Sequence, residues 1–464
     1  MQSIHRTNFL LILFLVTSIQ VFSQAPDSVK KRPYESTAEQ ILSTGLTTCG
    51  AFTMLKDLTT NVGTRLSGSP HAERAVEWGK KRMESLGFQN VRLEKLMVPH
   101  WVRGPVEEAS ALVSSRSIPL KVCALGGSIA TPEDGITAEV IEVKSFDELK
   151  ALGDKAKGKI VFFNRPFDKT KYSTFEAYSG AVNQRGGGAI EAAKVGAIGA
   201  LVRSMTSRLD DVPHTGAMNY VDSVAKVPTA AVSTIGAELL DSLLSANKNV
   251  KVKLKLTCQT LPDVESANVV GELVGTEKPN EVIVIGGHLD SWDKGQGAHD
   301  DGAGCSHVLE ALRLLKVLNL APKRTIRVVL FMNEENGLRG GKDYAARVRP
   351  GEQHIAAIET DAGGFSPRGF GVSADSIKFE KIAQWEYLFS SFEADRIRKG
   401  GGGADIGPLA RAGVPAIGLT PDRQRYFDYH HSDNDTLDKV NERELELGAI
   451  AISILSYVIA QEGL

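Results

Sequence analysis

The chain is poor in cysteine, with four in 464 residues: Cys49, Cys123, Cys258 and Cys305. They lie far apart and form no Cys-x-x-Cys pair, so a cysteine-based zinc site is not indicated. One or two disulfides would suit an exported protein, but the spacing does not assign their pairing. Cys305 lies at the start of an apolar helical segment, which predicts a buried free thiol.

The sequence also lacks an excess of basic residues. It has 54 Lys and Arg against 56 Asp and Glu, for a formal net charge of −2. No Arg-rich tract offsets this balance. Nucleic acids and anionic membrane surfaces attract proteins through clustered positive charge, so neither is expected as a partner.

Long hydrophobic runs are missing after the N-terminal segment. His5 and Arg6 precede the apolar run Phe9–Val16, and Ser23–Ala25 supplies small and polar residues after it. This run is too short for a good membrane span, and it predicts a cleavable signal peptide over residues 1–24. The alternative is an uncleaved anchor. We therefore expect a secreted or otherwise extracytoplasmic protein, in the periplasm or the medium, without a later membrane span.

The length and composition predict a soluble protein with two folded units. Short β-like runs fill the middle of the chain, whereas strand and helix patterns alternate on both sides of it. We expect a catalytic domain formed by residues 25–98 and 263–464, with a β-rich domain inserted at residues 99–262. Two clear helical patterns occur in the insert, at residues 188–194 and 237–246.

The larger unit is predicted to have an α/β fold with a mostly parallel central sheet flanked by helices. Its clearest buried strands are continuous apolar runs at residues 281–285, 326–332, 355–359 and 416–419. Residues 302–318 carry an apolar stripe at helical spacing. Ligands of such sheets bind beyond the carboxyl ends of the strands, where side chains from separate segments meet.

Candidate site residues follow these strands. They are His288, Asp290, Asp300, Asp301, Glu334, Glu335, Asp361, His430 and His431. So many carboxylates in one place repel each other unless cations lie among them. Imidazole and carboxylate ligands suit zinc, and the number of carboxylates favours two ions over one. Glu334, beside Glu335, is the natural general base because neighbouring carboxylates raise its pKa.

Each motif also has a simpler interpretation. A single His after a strand is often structural, a Glu-Glu pair is often solvated, and Asp-Asp before a helix is often an N-cap. The joint placement of all of them at strand ends favours a site. Three other histidines, His299, His307 and His354, are interpreted as structural.

The segments GGHLDSW, AHDDGAG, NEENGLRGG, ETDAGG and YHHSDNDTL resemble the motif series of the co-catalytic zinc exopeptidases. That family includes bacterial leucyl aminopeptidases, glutamate carboxypeptidase and the non-catalytic transferrin receptor. The resemblance covers nearly the whole mature chain. It implies a zinc exopeptidase-like fold, two zinc ions per chain and a homodimer.

The resemblance also implies a role for each matching residue. Asp300 corresponds to the carboxylate that bridges both zinc ions. His288 and Asp361 correspond to ligands of one ion, and Glu335 and His431 to ligands of the other. The remaining implied assignments are the general base Glu334, the carboxylate Asp290 that orients His288, and a cis peptide bond before Asp301.

Of the two adjacent histidines, His431 fits the family pattern, in which His is followed by Ser or Thr, two residues, and Asp-Thr. Ser432, Asp435 and Thr436 occupy those positions. His430 is then expected in the wall of the pocket.

The inserted stretch resembles a protease-associated domain, through KGKIVFFNRP and GGGAIEAAKVGAIGALV. This implies a lid or wall over the cleft without chemistry of its own. The glycine-rich loop 399–405 lacks a phosphate-binding context and is predicted to face the substrate.

The function expected is that of a secreted zinc-dependent exopeptidase acting on dipeptides or short peptides, with two-metal activation of water. The resemblance favours a carboxypeptidase or dipeptidase. Three alternatives stay open: an aminopeptidase of the same family, a single-zinc glutaminyl cyclase, and a non-catalytic binding protein. A carboxypeptidase needs a cation near the substrate carboxylate, and the sequence does not place the candidates Arg185, Arg398, Lys399, Arg423 and Arg425.

Overall fold

The computed structural model describes residues 31–246 and 249–464. The predicted signal peptide, residues 1–24, lies outside the described residues. The described chain forms two eight-stranded sheets with helices packed around them, a mixed α/β architecture.

Twelve α-helices occur in the described residues. They are α1 Glu35–Thr48, α2 Gly50–Asp57, α3 Pro70–Ser85, α4 Phe146–Leu152, α5 Thr174–Ala181, α6 Asn183–Lys194, α7 Thr234–Ala246, α8 Ala303–Val317, α9 Arg339–Ala346, α10 Ser376–Ala383, α11 Gly407–Arg411 and α12 Glu442–Glu462. Shorter helical turns lie at Leu58–Val62, Gly153–Ala156, Ala298–Gly302, Glu386–Phe392, Tyr426–Asp428 and Leu437–Lys439.

Sixteen strands occur in the same residues. They are β1 Gln89–Val102, β2 Glu107–Val113, β3 Arg116–Leu120, β4 Val122–Ala124, β5 Ile136–Val143, β6 Ile160–Phe163, β7 Gly199–Arg203, β8 Thr229–Val232, β9 Lys251–Leu256, β10 Gln259–Leu273, β11 Lys278–His288, β12 Arg324–Phe331, β13 Gln353–Glu359, β14 Pro367–Ser373, β15 Arg396–Lys399 and β16 Ala416–Pro421.

The first sheet has the strand order β1-β10-β12-β11-β13-β16-β14-β15. Its centre, from β12 through β11 and β13 to β16, is parallel, as is the pair β14–β15. The pairs β1–β10, β10–β12 and β14–β16 are antiparallel. The carboxyl ends of β12, β11 and β13 therefore meet at one edge of the sheet, where the candidate residues lie.

Both faces of this sheet are covered, which explains the continuous apolar runs in its central strands. Ile283 and Ile285 of β11 share a core with α8 and α12. Val282 and Val284, which point to the opposite face, pack in a second cluster with Tyr344 and Leu409. By length and composition α12 could cross a membrane, but 78% of its apolar window is buried inside the protein. It is the core helix of this face.

The second sheet has the order β3-β2-β9-β5-β6-β7-β8-β4. The two helical patterns predicted in this stretch correspond to α6 and α7. Helices α4 and α5 and strand β8 were not predicted. With 7, 8 and 4 residues, these elements are too short to give a clear periodic pattern.

Two long strands connect the sheets. β1 and β10 pair antiparallel from Gln89 opposite Glu272 to Val102 opposite Gln259. The predicted domain boundaries at 98/99 and 262/263 fall within these strands. The chain thus enters and leaves the second sheet through one two-stranded ribbon.

All four cysteines are free thiols. Cys305 is fully buried in α8, as predicted, and its Sγ donates to the main-chain oxygen of His288 at 3.1 Å.

Candidate metal centre

The candidate residues gather at the carboxyl edge of the parallel strands. His288 is the last residue of β11, the Glu334–Glu335 pair follows β12, and Asp361 follows β13. His430 and His431 reach the same edge from the segment before α12. Four chain segments that are distant in sequence therefore supply polar groups to one place.

Asp300 lies at the centre of this group. Its Oδ1 is 3.1 Å from His288 Nε2, and its Oδ2 is 3.3 Å from His431 Nε2. Asp361 Oδ1 is 3.6 Å from His288 Nε2, and Glu335 Oε2 is 3.0 Å from His431 Nε2. The five residues form two sets, one on each side of Asp300, and its buried Oδ2 has no hydrogen-bond partner.

The tautomer of His288 tests whether a cation fits this arrangement. Its Nδ1 donates a hydrogen bond to the main-chain oxygen of Asp290 at 3.0 Å. In the neutral ring the lone pair of Nε2 then faces the carboxylates of Asp300 and Asp361, so acceptors face acceptors. A cation at that point resolves the conflict, and imidazole with carboxylates is a donor set that zinc accepts.

The electrostatics of the cluster point the same way. Burial, together with neighbouring carboxylates, raises the pKa of Asp300 and Glu335, and it raises the pKa of Glu334 to about 8. Burial lowers the pKa of His431. Burial also disfavours the charged form of His288, but hydrogen bonds to Asp300 and Asp361 outweigh it and raise its pKa. Carboxylates that are costly to ionise become stable anions when divalent cations replace the missing positive charge.

Two further residues are close enough to be considered as ligands. Donor atoms of Asp301 lie within 4.8 Å of those of His288 and Asp361, and donor atoms of His430 lie as near to those of Asp300 and His431. Both oxygens of Asp301, however, accept main-chain hydrogen bonds, from His288 N at 3.0 Å and Gly304 N at 2.9 Å. The His430 ring stacks on that of His431 with centroids 3.5 Å apart. The peptide bond between Asp300 and Asp301 is cis.

Asp290 has a different contact pattern from the one implied by the family resemblance. Its nearest carboxylate oxygen is 3.8 Å from His288 Nδ1, and its main-chain oxygen makes the hydrogen bond instead. The fully buried carboxylate accepts from three successive main-chain N–H groups, those of Asn333 at 2.8 Å, Glu334 at 3.0 Å and Glu335 at 3.4 Å. It therefore holds the loop that carries the two glutamates.

Two residues that the sequence did not single out for the site hold the loop between β11 and α8. Arg65 is fully buried and donates to the main-chain oxygens of Leu289 at 2.7 Å and of Gln296 and Gly297 at 2.8 Å. Asp435 accepts from the main-chain nitrogens of His299 at 2.7 Å and Asp300 at 3.1 Å. Asp435 belongs to the motif that follows His431, whereas Arg65 lies in a turn-rich segment without a chemical signal.

The second sheet contributes directly to this centre. His214 Nδ1 donates to the main-chain oxygen of His430 at 2.7 Å, and the main-chain nitrogen of Thr215 donates to the main-chain oxygen of His431 at 2.9 Å. His431 has φ of 61°, in the left-handed region that is uncommon for a non-glycine residue. The two hydrogen bonds fix the main chain there. The Arg185 guanidinium of α6 comes within 3.4 Å of His431 Nδ1.

The centre opens into a cavity of about 740 Å³ between the two sheets. Its floor is formed by Asp300, Glu334, Glu335, Asp361, His430 and His431. Its walls carry Trp101, Phe175, Tyr178, Tyr426 and Phe427. Among the cations proposed from the sequence, Arg185 lines this cavity. The other four, Arg398, Lys399, Arg423 and Arg425, are not among its described lining residues.

The glycine-rich loop and the three histidines interpreted as structural lie outside the described cavity lining. The glycine-rich loop 399–405 does not line the cavity, contrary to the prediction. Gly403 packs against the buried Glu359 side chain, where a Cβ atom would lie 2.0 Å away, so the loop closes over the end of the sheet. The three histidines interpreted as structural are not among the described cavity-lining residues. A ring nitrogen of His299 contacts the main-chain oxygen of Lys439, one of His307 contacts Thr360 Oγ1, and one of His354 contacts the Tyr344 hydroxyl.

Comparisons with known proteins agree with the motifs. The sequence profile of peptidase family M28 matches residues 268–455. Carboxypeptidase Q of Bos taurus is 39% identical over 87% of this chain and 84% of its own, and that of Homo sapiens is 37% identical over 94% and 93%. A peptidase M28 crystal structure from Shewanella amazonensis SB2B superposes with a TM-score of 0.89 at 35% identity, covering 93% of this chain and 97% of that one.

The matches to the two carboxypeptidase Q sequences and to the crystal structure extend over 87%, 94% and 93% of this chain, at identities that define a family. They confirm the predicted resemblance to the co-catalytic zinc exopeptidases, with carboxypeptidase Q among the similar proteins, and the predicted enzyme class, a zinc-dependent exopeptidase. The chain belongs to peptidase family M28.

Proposed function

We propose that this protein hydrolyses dipeptides or short peptides at a chain end with two zinc ions per chain. His288 and Asp361 would bind one ion, Glu335 and His431 the other, and Asp300 would bridge them. The observation that carries the proposal is the position of Asp300, whose two oxygens face His288 Nε2 and His431 Nε2 at 3.1 and 3.3 Å.

Zinc ions bound there supply Lewis acidity, which lowers the pKa of water and stabilises negative charge on oxygen. Glu334 accepts the proton of the attacking water and donates it to the amine that leaves. The pKa of Glu334, raised to about 8 first by burial and then by neighbouring carboxylates, suits a group that must both take and release a proton near neutral pH. Asp290 acts as a positioning residue because its carboxylate fixes the loop that carries Glu334.

A carboxypeptidase or dipeptidase is favoured over an aminopeptidase. The carboxylates that line the described cavity, Asp300, Glu334, Glu335 and Asp361, all belong to the proposed metal and proton-transfer set. No further carboxylate among the described lining residues is left for a substrate ammonium group. The name carboxypeptidase Q, carried by the relatives, supports the same preference.

We also propose that residues 25–98 and 263–464 form the catalytic domain and that residues 99–262 form a protease-associated-like domain that walls the cleft. The presence of Trp101, Phe175, Tyr178 and Arg185 among the cavity residues supports this. The apolar N-terminal segment supports export of the protein. The family resemblance also implies a homodimer, which light scattering of the purified protein would test.

The test is a panel of dipeptides with free, N-blocked and C-blocked termini, assayed with and without chelator alongside metal analysis. We expect about two zinc ions per chain, chelator-sensitive hydrolysis and loss of activity on C-blocked substrates. Cleavage that instead requires a free amino terminus would support an aminopeptidase. One zinc ion with cyclisation of N-terminal glutamine would support a cyclase, and an intact protein without zinc or turnover would support a binding protein.

A further inference from the structure

Trp292 contacts both proposed ligands of one ion. Its main-chain N–H donates to Glu335 Oε1 at 3.1 Å, and the other oxygen of that carboxylate faces His431 Nε2 at 3.0 Å. Its indole ring meets the His431 ring edge to face, with centroids 5.7 Å apart. Among the described residues, no hydrogen bond or ring contact joins Trp292 to His288 or Asp361. The contacts of this one residue therefore single out one half of the proposed centre.

The indole ring of Trp292 belongs to the core of the second sheet. It is buried in a cluster whose other buried members are Leu66, Trp101 and residues within 109–258. In the described chain, Trp292 is the one member of that cluster that comes from the sequence after β10. A Cβ atom on Gly126 would lie 1.8 Å from Cη2 of the ring, so the main chain that follows β4 packs directly on it. Its buried Nε1 has no hydrogen-bond partner, so packing holds the ring in place.

The residue after Trp292 ties the main chain to the same unit. The buried guanidinium of Arg103 lies 2.6 Å from Asp293 Oδ1 and donates to Thr215 Oγ1 at 3.2 Å. Thr215 in turn donates its main-chain N–H to the main-chain oxygen of His431. Hydrogen bonds between charged groups are strong and directional, so this buried pair fixes the loop. Contacts with the second sheet therefore hold both the Trp292 main chain and the His431 main chain.

The ligands of the other ion are held differently. The main-chain nitrogen of His288 donates to Asp301 at 3.0 Å, and its Nδ1 donates to the main-chain oxygen of Asp290 at 3.0 Å. The Tyr426 hydroxyl donates to Asp361 Oδ1 at 3.4 Å. All of these groups lie after β10 in the chain. Because the groups that orient a ligand affect its affinity for the metal, the two halves should respond differently to a change at the second sheet.

We propose that Trp292 is a positioning residue for the ion bound by Glu335 and His431, and that the second sheet controls the affinity for that ion through it. The Trp292 N–H keeps Glu335 in the orientation that presents Oε2, and the indole ring limits rotation of the His431 imidazole. This inference rests on the proposed two-ion centre and adds a difference between its halves.

The test measures zinc affinity in each half separately. Asp361→Ala leaves the ligands Glu335 and His431 intact, whereas His431→Ala leaves those of the other ion intact. We expect Trp292→Leu to weaken zinc binding about 10-fold to 100-fold in the Asp361→Ala protein and to leave it unchanged in the His431→Ala protein. Competition with a chromogenic chelator gives each value. Equal weakening in both proteins, or unchanged affinity in the Asp361→Ala protein, would overturn the proposal.

Two further variants separate positioning from a general loss of packing. Trp292→Phe keeps an aromatic ring against His431 and should restore most of the affinity that Trp292→Leu loses. Trp385→Leu removes another buried indole ring, from the core of the first sheet, and should leave zinc affinity unchanged in both proteins.

A spectroscopic measurement keeps Trp292 in place, so it is independent of whether Trp292→Leu folds. The chain has four tryptophans, and fluorine NMR of protein labelled with fluorotryptophan reports on each of them. Zinc should shift the Trp292 signal, assigned with Trp292→Phe, in the Asp361→Ala protein and leave it in place in the His431→Ala protein. Equal shifts in both proteins would contradict the role of Trp292 alone. If the unmodified protein binds no zinc or a single ion, it is the proposed two-ion centre that fails.

Discussion

At the scale of single residues, the function of each carboxylate in the site depends on whether its oxygens already accept hydrogen bonds from the protein. Asp290 and Asp435 are carboxylates near the centre, but main-chain N–H groups occupy their oxygens. Asp300 Oδ2 is buried and without a partner. Carboxylates with free oxygens are available as ligands, and those with satisfied oxygens serve to hold loops.

The first prediction concerns Glu334. We expect Glu334→Gln to retain its zinc and to lose turnover by about 10³-fold, because glutamine has the same shape but cannot accept the proton. Steady-state kinetics and elemental analysis of the purified variant provide the measurement, with the exposed Glu108→Gln as control. Substantial activity in a zinc-loaded Glu334→Gln enzyme would rule out this residue as the base.

The second prediction is the pH dependence that follows from the same residue. Glu334 must be ionised to accept a proton, so kcat/KM should rise as the pH increases through its pKa. That pKa is raised from 4.5 to about 8 in the cluster without cations, mainly by burial, and bound cations lower it. The acid limb in the zinc enzyme should therefore lie between these values. A flat profile from about pH 4 to pH 8 would be inconsistent with Glu334 as the base.

At the scale of elements, the segment that joins β7 to β8 stabilises a loop of the other sheet. His214 and Thr215 hydrogen-bond to the main chain of His430 and His431, where His431 has a positive φ. A non-glycine residue keeps this left-handed backbone conformation only when surrounding contacts fix it. The geometry of one proposed zinc ligand thus depends on a segment more than 200 positions away in sequence.

The third prediction follows from that contact. His214→Ala should weaken zinc binding by about 10-fold to 100-fold, the range seen when a group that orients a ligand is removed. His214→Asn keeps a side-chain donor and should recover most of the affinity. Competition with a chromogenic chelator measures both variants. Unchanged zinc affinity in His214→Ala would show that Thr215 alone is sufficient to hold the loop.

The fourth prediction concerns the packing of α2, α8 and α12. Glu446 of α12 accepts from Ala51 N at 3.0 Å, and its other oxygen lacks a partner among the described groups. Burial, followed by repulsion from Glu310, raises the pKa of Glu446 to about 8. The fold therefore favours the protonated acid, so the stabilisation is complete below about pH 4.5 and is lost as the pH rises through the folded-state pKa.

Glu446→Gln should accordingly raise the melting temperature at pH 8 and have little effect at pH 5. Each kcal/mol corresponds to about 2–4 °C in a domain of about 150–250 residues and to a smaller shift in a longer chain such as this one. Glutamine keeps the acceptor for Ala51 and adds a donor toward Glu310. Thermal denaturation at both pH values is the measurement, and an equal or larger gain at pH 5 would contradict the assignment.

At the scale of the whole molecule, cation binding links the loops that follow β11, β12 and β13 with the segment before α12. Removal of zinc by a chelator should lower the melting temperature by several degrees, since a ligand at 1,000 times its Kd contributes about 4 kcal/mol. Adding back two equivalents should restore the original value. Calorimetric scans before and after dialysis test this, and an unchanged melting temperature would argue against tight zinc binding.

Much of the fold and most of the centre could be predicted from the sequence. Strands β11 and β12 are buried on both faces, so their apolar runs are continuous and easily recognised. The first half of β10 is exposed and polar, so it gives no apolar pattern that would predict a strand. This half nevertheless pairs with β1. Arg65 and His214 could not be assigned because their roles arise only from contacts between segments far apart in the chain.

The β1–β10 ribbon has a practical consequence for engineering. Because both crossings between the sheets run side by side, residues 99–263 can be treated as a cassette with facing junctions at Val98 and Val264, which are register partners just before a shift in the pairing. Grafts that keep this pairing should transplant the residues that this segment places in the cavity wall, such as Tyr178 and Arg185. New substrate preferences could then be combined with an unaltered hydrolytic centre.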